Sequence, residues 1–145
     1  TSPGQARRAT SGLDASRVAM VRAVLERRAG IGLKTHDTYT ATVGGVKVSE
    51  PAADLAVAIA VASALADKPV PAGTVIIGEV GLAGEVRRVT GTPRRLAEAA
   101  RLGFTHAIVA HEPGTIPAGI KVYEAADIRA AIDAAFKVPG RPGSR

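Results

Sequence analysis

Residues 51–67 read PAADLAVAIAVASALAD, and this stretch decides the fold. Asp54 is its only charged residue before Asp67, so a helix formed by this stretch has no polar face. A helix that is apolar on every side is typical of the interior of a domain, where other elements cover it. The stretch therefore predicts a central helix that opens at Pro51 and is buried all round.

Two elements are predicted on the amino-terminal side of this helix. Residues 14–30 predict an amphipathic surface helix, with Asp14 as its N-cap and Gly30 just beyond its end. Its apolar face holds Val18, Val21 and Leu25. Residues 37–50 alternate apolar and polar side chains around Gly44-Gly45, which predicts a β-hairpin.

The carboxyl-terminal side alternates strands and helices. Residues 74–89, TVIIGEVGLAGEVRRV, predict two strands joined by a glycine turn. A helix capped by Thr92, with Pro93 at its first position and Gly103 beyond its end, follows. HAIVA (106–110) and KVYEA (121–125) predict short buried strands, and residues 127–136 predict a last helix capped by Asp127. Together these elements predict an α/β domain, a mixed sheet with helices packed on it.

The amino-acid composition excludes several kinds of site and of protein. The 145 residues include no Cys, which excludes disulfides and cysteine-based zinc sites, and no apolar run is long enough to cross a membrane. We therefore expect a cytoplasmic protein. The net charge is +6, but residues 14–136 hold 14 Lys+Arg against 13 Asp+Glu, a net of +1. The predicted organisation is a linker over 1–13, one domain over 14–136 and a flexible tail over 137–145.

Three segments carry a family resemblance: ERRAGIGL (26–33), GGVKVSEPAADLAVAIAVASA (44–64) and GEVGLAGEVRRVTGTPRRLAEAARLGF (78–104). They resemble the C-terminal, Lon-protease-like domain of the RadA (Sms) family of bacterial DNA repair and recombination proteins. The resemblance implies a ribosomal protein S5 domain 2-like fold, shared with the proteolytic domain of Lon. It also implies an upstream RecA-like ATPase and zinc finger, and a hexameric ring that acts on branched DNA.

The resemblance further implies that protease chemistry has been lost. A Ser/Lys hydrolase needs a hydroxyl at a helix N-terminus and a desolvated lysine beside it. Ala52 stands where the Lon-type motif has its serine, and Pro93 stands where it has its lysine. We therefore expect no catalytic residue and no enzyme activity from this domain. ATP, Mg²⁺ and zinc are expected only in upstream domains, since no GxxxxGK[ST] loop occurs in the sequence.

Other reactive side chains have ordinary structural explanations. Ser49 is predicted to cap the central helix, and Ser63 to bond a backbone carbonyl. Lys34 and Lys47 lie on or next to β elements. His106 and His111 flank one strand and lack a third metal ligand, so we predict no metal site. Gly78, Gly81 and Gly84 are predicted to form a tight hairpin instead of a nucleotide-binding loop.

Basic residues are the candidate DNA-binding groups. Residues 85–101 have a net charge of +3, whereas residues 48–80 have a net charge of −3. The predicted contacts are with the phosphates of single-stranded or branched DNA, because so few aromatic residues occur. The candidates are Lys47, Arg87, Arg88, Arg94, Arg95 and Arg101.

The same arginines also fit a solvated helix face, in which Glu98 pairs with Arg94 and Arg101. The leading hypothesis is a non-catalytic assembly and DNA-contacting domain of a RadA-type branch-migration motor, working as a homo-oligomer with its ATPase and without a membrane. Two alternatives stay open. One is a residual serine hydrolase with an unrecognised dyad, and the other is a free-standing RNA-binding module.

Overall fold

A computed structural model describes residues 19–21, 23–24 and 51–139 of the chain. Residues 19–21 and 23–24 are helical, and a 3-10 turn over Pro51–Ala53 leads into the central helix. The remaining elements follow in chain order: α1 (Asp54–Ala66), β1 (Thr74–Ile77), β2 (Glu79–Val80), β3 (Val86–Arg87), α2 (Thr92–Arg101), β4 (His106–Ala110), β5 (Lys121–Ala125) and α3 (Ile128–Lys137). No helix in this described part of the chain has the length and apolar composition that crossing a membrane requires.

The main sheet has the strand order β1-β4-β5, with both pairs parallel. β2 and β3 form a separate antiparallel hairpin. Parallel neighbours need a crossover between them, and α2 provides the one between β1 and β4. The α/β class predicted from the sequence is confirmed. Among the described strands, the two kinds of pairing occur in two sheets instead of one mixed sheet.

Side chains alternate across the parallel strands and fill two cores. Ile76 and Ile108 face the core that contains α1 and α3, with Leu55, Ile59 and Ile128 fully buried there. Ile77 and Val109 face the opposite way and pack against Leu96 of α2. The sheet is therefore a middle layer between α1 and α3 on one face and α2 on the other.

The central helix is less enclosed than its sequence predicts. Leu55, Ala58 and Ile59 are completely buried, but Ala60 and Ala64 are exposed. The prediction of burial on every side is therefore wrong on the side of the helix that carries Ala60 and Ala64. An exposed alanine has only one methyl group in water and strongly favours helix, so an apolar sequence does not force burial there.

The start of α1 is tied to the junction between β1 and β2. The N–H of Leu55 donates to the carbonyl of Gly78 at 3.0 Å, and the N–H of Gly78 donates to the carbonyl of Ala52 at 3.0 Å. These bonds use both backbone groups of Gly78, so strand pairing stops there. The stretch 74–89 consequently forms three strands, and the prediction of two is corrected by this helix contact.

The ends of the last two helices test three predicted caps. Asp127 caps α3 as predicted, accepting the N–H of Ala130 at 2.8 Å. Gly103 follows α2 with a φ of +97°, which favours glycine, as predicted. The cap at Thr92 is wrong: Gly91 occupies the N-cap position, and the buried Thr92 hydroxyl donates to the carbonyl of Val89 at 2.8 Å. The local turn, whose φ at Gly91 is +76°, places the threonine one position too far along to cap.

The segments before residue 51 and after residue 139 are described only in part or not at all. The helical residues 19–21 and 23–24 agree with the helix predicted over 14–30, and Val21 is buried as expected. Its predicted partners Val18 and Leu25, and the hairpin over 37–50, lie outside the described residues. The tail predicted from residue 137 begins too early, because Lys137 ends α3 and Val138 is buried in the core.

Candidate nucleic-acid interface

The two positions that the resemblance relates to a lost protease dyad are inert. Ala52 is buried in the turn before α1, where its carbonyl accepts the N–H of Gly78. Pro93 is exposed in the first turn of α2, next to Gly114. Neither side chain can attack a carbonyl carbon or accept a proton.

Ser63 lies in the last turn of α1, far from the helix N-terminus that would stabilise an oxyanion. Its hydroxyl donates to the carbonyl of Lys68 at 2.6 Å, so the predicted bond to a backbone carbonyl is confirmed. Ser49, Lys34 and Lys47 lie outside the described residues.

Asp54 has a structural explanation in this arrangement. It is buried, and its Oδ2 accepts the N–H of Val80 at 3.1 Å. Together with the bonds at Gly78, this contact fixes β2 against the amino end of α1. A carboxylate in the first turn of a helix is also favoured by the helix dipole.

The β2–β3 hairpin is closed by a tight turn with backbone hydrogen bonds. The N–H of Gly81 donates to the carbonyl of Glu85, and the N–H of Gly84 donates to the carbonyl of Gly81, both at 2.9 Å. A φ of +87° at Gly84 completes a three-residue hairpin loop of the glycine-bulge type. A side chain at Gly81 would overlap the Glu85 carboxylate. The tight hairpin predicted for this glycine-rich stretch is confirmed.

Five of the candidates are among the described residues, and we refer to them together as the arginine surface: Arg87, Arg88, Arg94, Arg95 and Arg101. All five are exposed. The Nε of Arg95 donates to the carbonyl of Thr90 at 3.2 Å, which places the first turn of α2 beside the segment that leaves the hairpin. Lys47, the sixth candidate, lies outside the described residues.

Three of these arginines bind glutamates of the same domain. Arg87 donates to Glu85 from Nε at 2.9 Å, and Arg101 donates to Glu98 from Nε at 3.0 Å. The pairing of Glu98 with Arg101 agrees with the predicted helix ladder. No ion pair joins Glu98 to Arg94 among the described residues.

A longer connection runs from Arg88 to the carboxyl ends of β4 and β5. Arg88 Nη1 donates to the carbonyl of Glu112 at 2.9 Å and lies 3.6 Å from its carboxylate. The N–H of Glu112 donates to Glu124 Oε1, which is also 3.2 Å from His111 Nδ1. Glu112 itself has a φ of +57°, an uncommon conformation for a non-glycine residue. The chain of contacts fixes Arg88 against the end of the sheet.

These contacts perturb the acidic partners. The N–H of Glu85 itself, and then the Arg87 guanidinium, lower the pKa of the Glu85 carboxyl. The Arg101 hydrogen bond lowers the pKa of Glu98, and Glu98 in turn raises the pKa of Arg101. The N–H of Glu112, followed by His111, lowers the pKa of Glu124. All of these groups are solvated, so the pairs orient the arginines more than they stabilise the fold.

The two described histidines are far apart along β4. His106, at the start of the strand, lies 3.0 Å from the hydroxyl of Thr105, whereas His111 follows its end. Within residues 19–21, 23–24 and 51–139, no group of three His, Asp or Glu side chains is arranged to hold a metal ion. His36 lies outside these residues.

Comparison with known proteins places the chain in a family. Residues 41–113, half of the chain, match the family model described as subunit ChlI of Mg-chelatase. Over 129 residues, 89% of the chain, it is 54% identical to the DNA repair protein RadA of Mycolicibacterium smegmatis. By this model the chain belongs to the ChlI family, and the relatives to which it is similar are RadA proteins. The resemblance to RadA proteins noted in the sequence is confirmed.

Other RadA relatives are similar to the chain over the same extent. The DNA repair protein RadA of Mycobacterium tuberculosis is 52% identical over 89% of the chain, and that of Streptococcus pyogenes serotype M1 is 46% identical over 92%. The chain spans 27–30% of the length of these RadA proteins.

Sequence reasoning predicted the pairing of Glu98 with Arg101 but missed the carboxylates that hold Arg87 and Arg88. Glu112 is 24 residues from Arg88, and Glu124 lies a further strand away. Glu112 and Glu124 come together only because β4 and β5 pair in parallel. The local signals were the spacing of Glu98 and Arg101 on α2 and the two-residue spacing of Glu85 and Arg87 at the start of β3.

Proposed function

We propose that this chain is the non-catalytic assembly and DNA-contacting domain of a RadA-type DNA repair and recombination motor. Its relatives are named DNA repair protein RadA, which supports a role in DNA repair. The observation that carries the DNA contact is the arginine surface, five exposed guanidinium groups presented by a tight hairpin and the helix that follows it.

The chemistry of these groups favours phosphate recognition. A guanidinium group is planar, stays charged at all relevant pH values and can offer two parallel N–H donors to a phosphate. Arg87, Arg88 and Arg101 are already held by glutamates, so their side chains lose little conformational freedom on binding. Contacts to phosphates alone are independent of sequence, which suits single-stranded or branched DNA.

Assembly would make such weak contacts effective. We propose that the domain repeats around a homo-oligomeric ring, a hexamer, in the cytoplasm, next to a RecA-like ATPase of the whole protein. The ATPase and a zinc finger would supply the ATP, Mg²⁺ and zinc chemistry. Repetition multiplies contacts that are weak in one copy, because each later contact is intramolecular.

Removing arginines tests the DNA contact. Arg87→Ala with Arg88→Ala, or Arg94→Ala with Arg95→Ala, is expected to weaken binding equally for all DNA sequences. The salt dependence of binding should flatten by roughly one unit per lost phosphate contact. Titrations of labelled duplex, forked and single-stranded DNA at two salt concentrations measure both effects.

A shortened chain without residues 1–13 and 140–145 provides the control, because it removes Arg7, Arg8, Arg141 and Arg145 but keeps every described element. It should bind DNA nearly as well as the parent. Binding that disappears in the shortened chain and survives in both arginine variants would place the contact in the termini. Tighter binding to RNA than to DNA would favour the RNA-binding alternative.

The purified chain is expected to hydrolyse neither casein nor peptide esters. Ala52 and Pro93 offer no nucleophile or base, and the Ser63 hydroxyl is committed to a backbone carbonyl. A fluorophosphonate probe should label no serine, with an active serine protease as the positive control. Turnover that Ser49→Ala or Ser63→Ala abolishes would instead establish a hydrolase.

A further inference from the structure

Three polar side chains stand in a row at the amino-terminal edge of the parallel sheet. Thr74 pairs with His106, and His106 pairs with Lys121, each at the first position of its strand. Directly paired residues point to the same face and neighbouring strands are about 4.8 Å apart. The hydroxyl, imidazole and ammonium groups therefore line one edge, on the face that carries α1 and α3.

Aromatic rings support the cations at this edge. Lys121 Nζ lies 5.5 Å from the centre of the Tyr123 ring, and the His106 ring is 6.1 Å from the same ring. Lys68 Nζ lies 5.5 Å from the centre of the Phe136 ring. Because α3 directly follows β5 and packs back along it, Phe136 comes to the end where β5 begins. The ring contacts orient both ammonium groups without neutralising them.

The cations here differ from Arg87, Arg88 and Arg101, which have glutamate partners. Within the described part of the chain, no carboxylate lies within ion-pair distance of Lys68 or Lys121. The Oγ1 atom of Thr74 is buried and has no hydrogen-bond partner among the same residues. A buried hydroxyl without a partner is rare, because its desolvation is not compensated. Within these residues, Lys68 and Lys121 therefore have no carboxylate partner, which suits contact with an anion, whereas the enclosed Thr74 hydroxyl is not itself open to one.

We infer that this edge binds the phosphate groups of a nucleic-acid strand. We call it the amino edge: Lys68, Thr74, His106, Lys121, Tyr123 and Phe136. Lysine binds phosphate as a point charge, and several separated cations suit the repeated phosphates of a backbone better than one compact anion. Lys68 and Lys121 cover the rings of Phe136 and Tyr123. We therefore expect the strand to be bound through its phosphates and not by stacking of its bases on these rings.

The amino edge is a second site beyond the proposed function. None of its residues belongs to the arginine surface. Arg88 reaches Glu112 just beyond the carboxyl end of β4, about 13 Å from His106 at about 3.3 Å per residue. Arg101 ends α2 only five residues before His106, but α2 packs on the opposite face of the sheet. The nucleic-acid ligand agrees with the proposed function, but binding at each of the two sites can be tested independently of the other.

The test compares two double variants that remove the same charge. Lys68→Gln with Lys121→Gln changes the amino edge, and Arg94→Gln with Arg95→Gln changes the arginine surface. All four side chains are exposed, and melting curves check that both variants fold. With a single-stranded oligonucleotide of about 16 nucleotides, the lysine variant should bind at least about fivefold more weakly. Its salt slope should fall by about 1.4, which is about 0.7 for each lost phosphate contact.

A lysine variant with unchanged affinity and salt slope would overturn the inference, whatever the arginine variant does. Loss only in the lysine variant would support the amino edge and contradict the arginine surface, and loss in both would support both sites.

Chemical shifts of the unaltered chain give a second measurement. The oligonucleotide should shift resonances of His106, Lys121 and Tyr123, whereas inorganic phosphate should do so only at much higher concentration. Equal affinity for inorganic phosphate would identify a free-phosphate site and contradict the nucleic-acid assignment.

Discussion

Replacing Ile59 with aspartate is expected to leave the chain without a stable native fold. Ile59 is completely buried in the core between α1, the sheet and α3. A carboxyl group there has no partner to replace water, and burying it costs several kcal/mol whether it stays charged or takes up a proton. Domains of this size are stable by only about 5–15 kcal/mol, so the loss takes a large share of the total. Circular dichroism during thermal unfolding measures it.

The neighbouring residue provides a matched control. Ala60→Asp puts the same carboxylate on the same helix, but at an exposed position. It should cost only the difference in helix propensity, about 0.5–0.7 kcal/mol. If the Ile59 variant melted within a few degrees of the parent, the central position of α1 in the core would be wrong.

The second large effect is expected from Asp54→Ala. The change removes the acceptor of the Val80 N–H at the point where β2 meets α1, and Val80 is buried. An unsatisfied buried donor costs about 1–3 kcal/mol, in addition to the cavity left by the carboxylate. Chemical denaturation measures the free energy of unfolding. Hydrogen exchange of the Val80 amide reports the local bond, and its rate should rise.

Asp54→Asn separates the hydrogen bond from the charge. Asparagine keeps an oxygen that can accept the Val80 N–H, so its loss of stability should be smaller than that of the alanine variant. If the two variants were equally destabilised, the hydrogen bond to Val80 would not be the source of the stability, and the charge of Asp54 would be.

The elements that sequence reasoning predicted best are those with a local signal. Asp127 caps α3 as predicted, and the five-residue strands β4 and β5 occur where predicted. The predicted burial is wrong for β5, in which Lys121 and Glu124 are exposed. The failures have non-local causes. The residues of TVIIGEV favour a strand on both sides of Gly78, so the sequence does not show that pairing breaks there. The break exists because α1 uses the backbone groups of this glycine.

The candidate site was predictable in its residue types and in the Glu98–Arg101 pair, but not in its partners from distant parts of the sequence. A net charge of +3 over residues 85–101 pointed to the arginines, and all five are exposed. Their connection to Glu112 depends on tertiary structure. The row of Thr74, His106 and Lys121 depends on strand register, because a shift of one residue would turn a side chain to the other face.

The glutamates beside Arg87, Arg88 and Arg101 also govern how fast an anion arrives. Beyond the Debye length of about 8 Å, each pair is nearly neutral, so these arginines attract a distant polyanion weakly. A phosphate that reaches Arg87 or Arg101 competes with a carboxylate for their N–H donors, which makes the exchange a short-range event. Steered capture would then come from cations without such partners, while the arginines would mainly prolong the residence of a strand already bound.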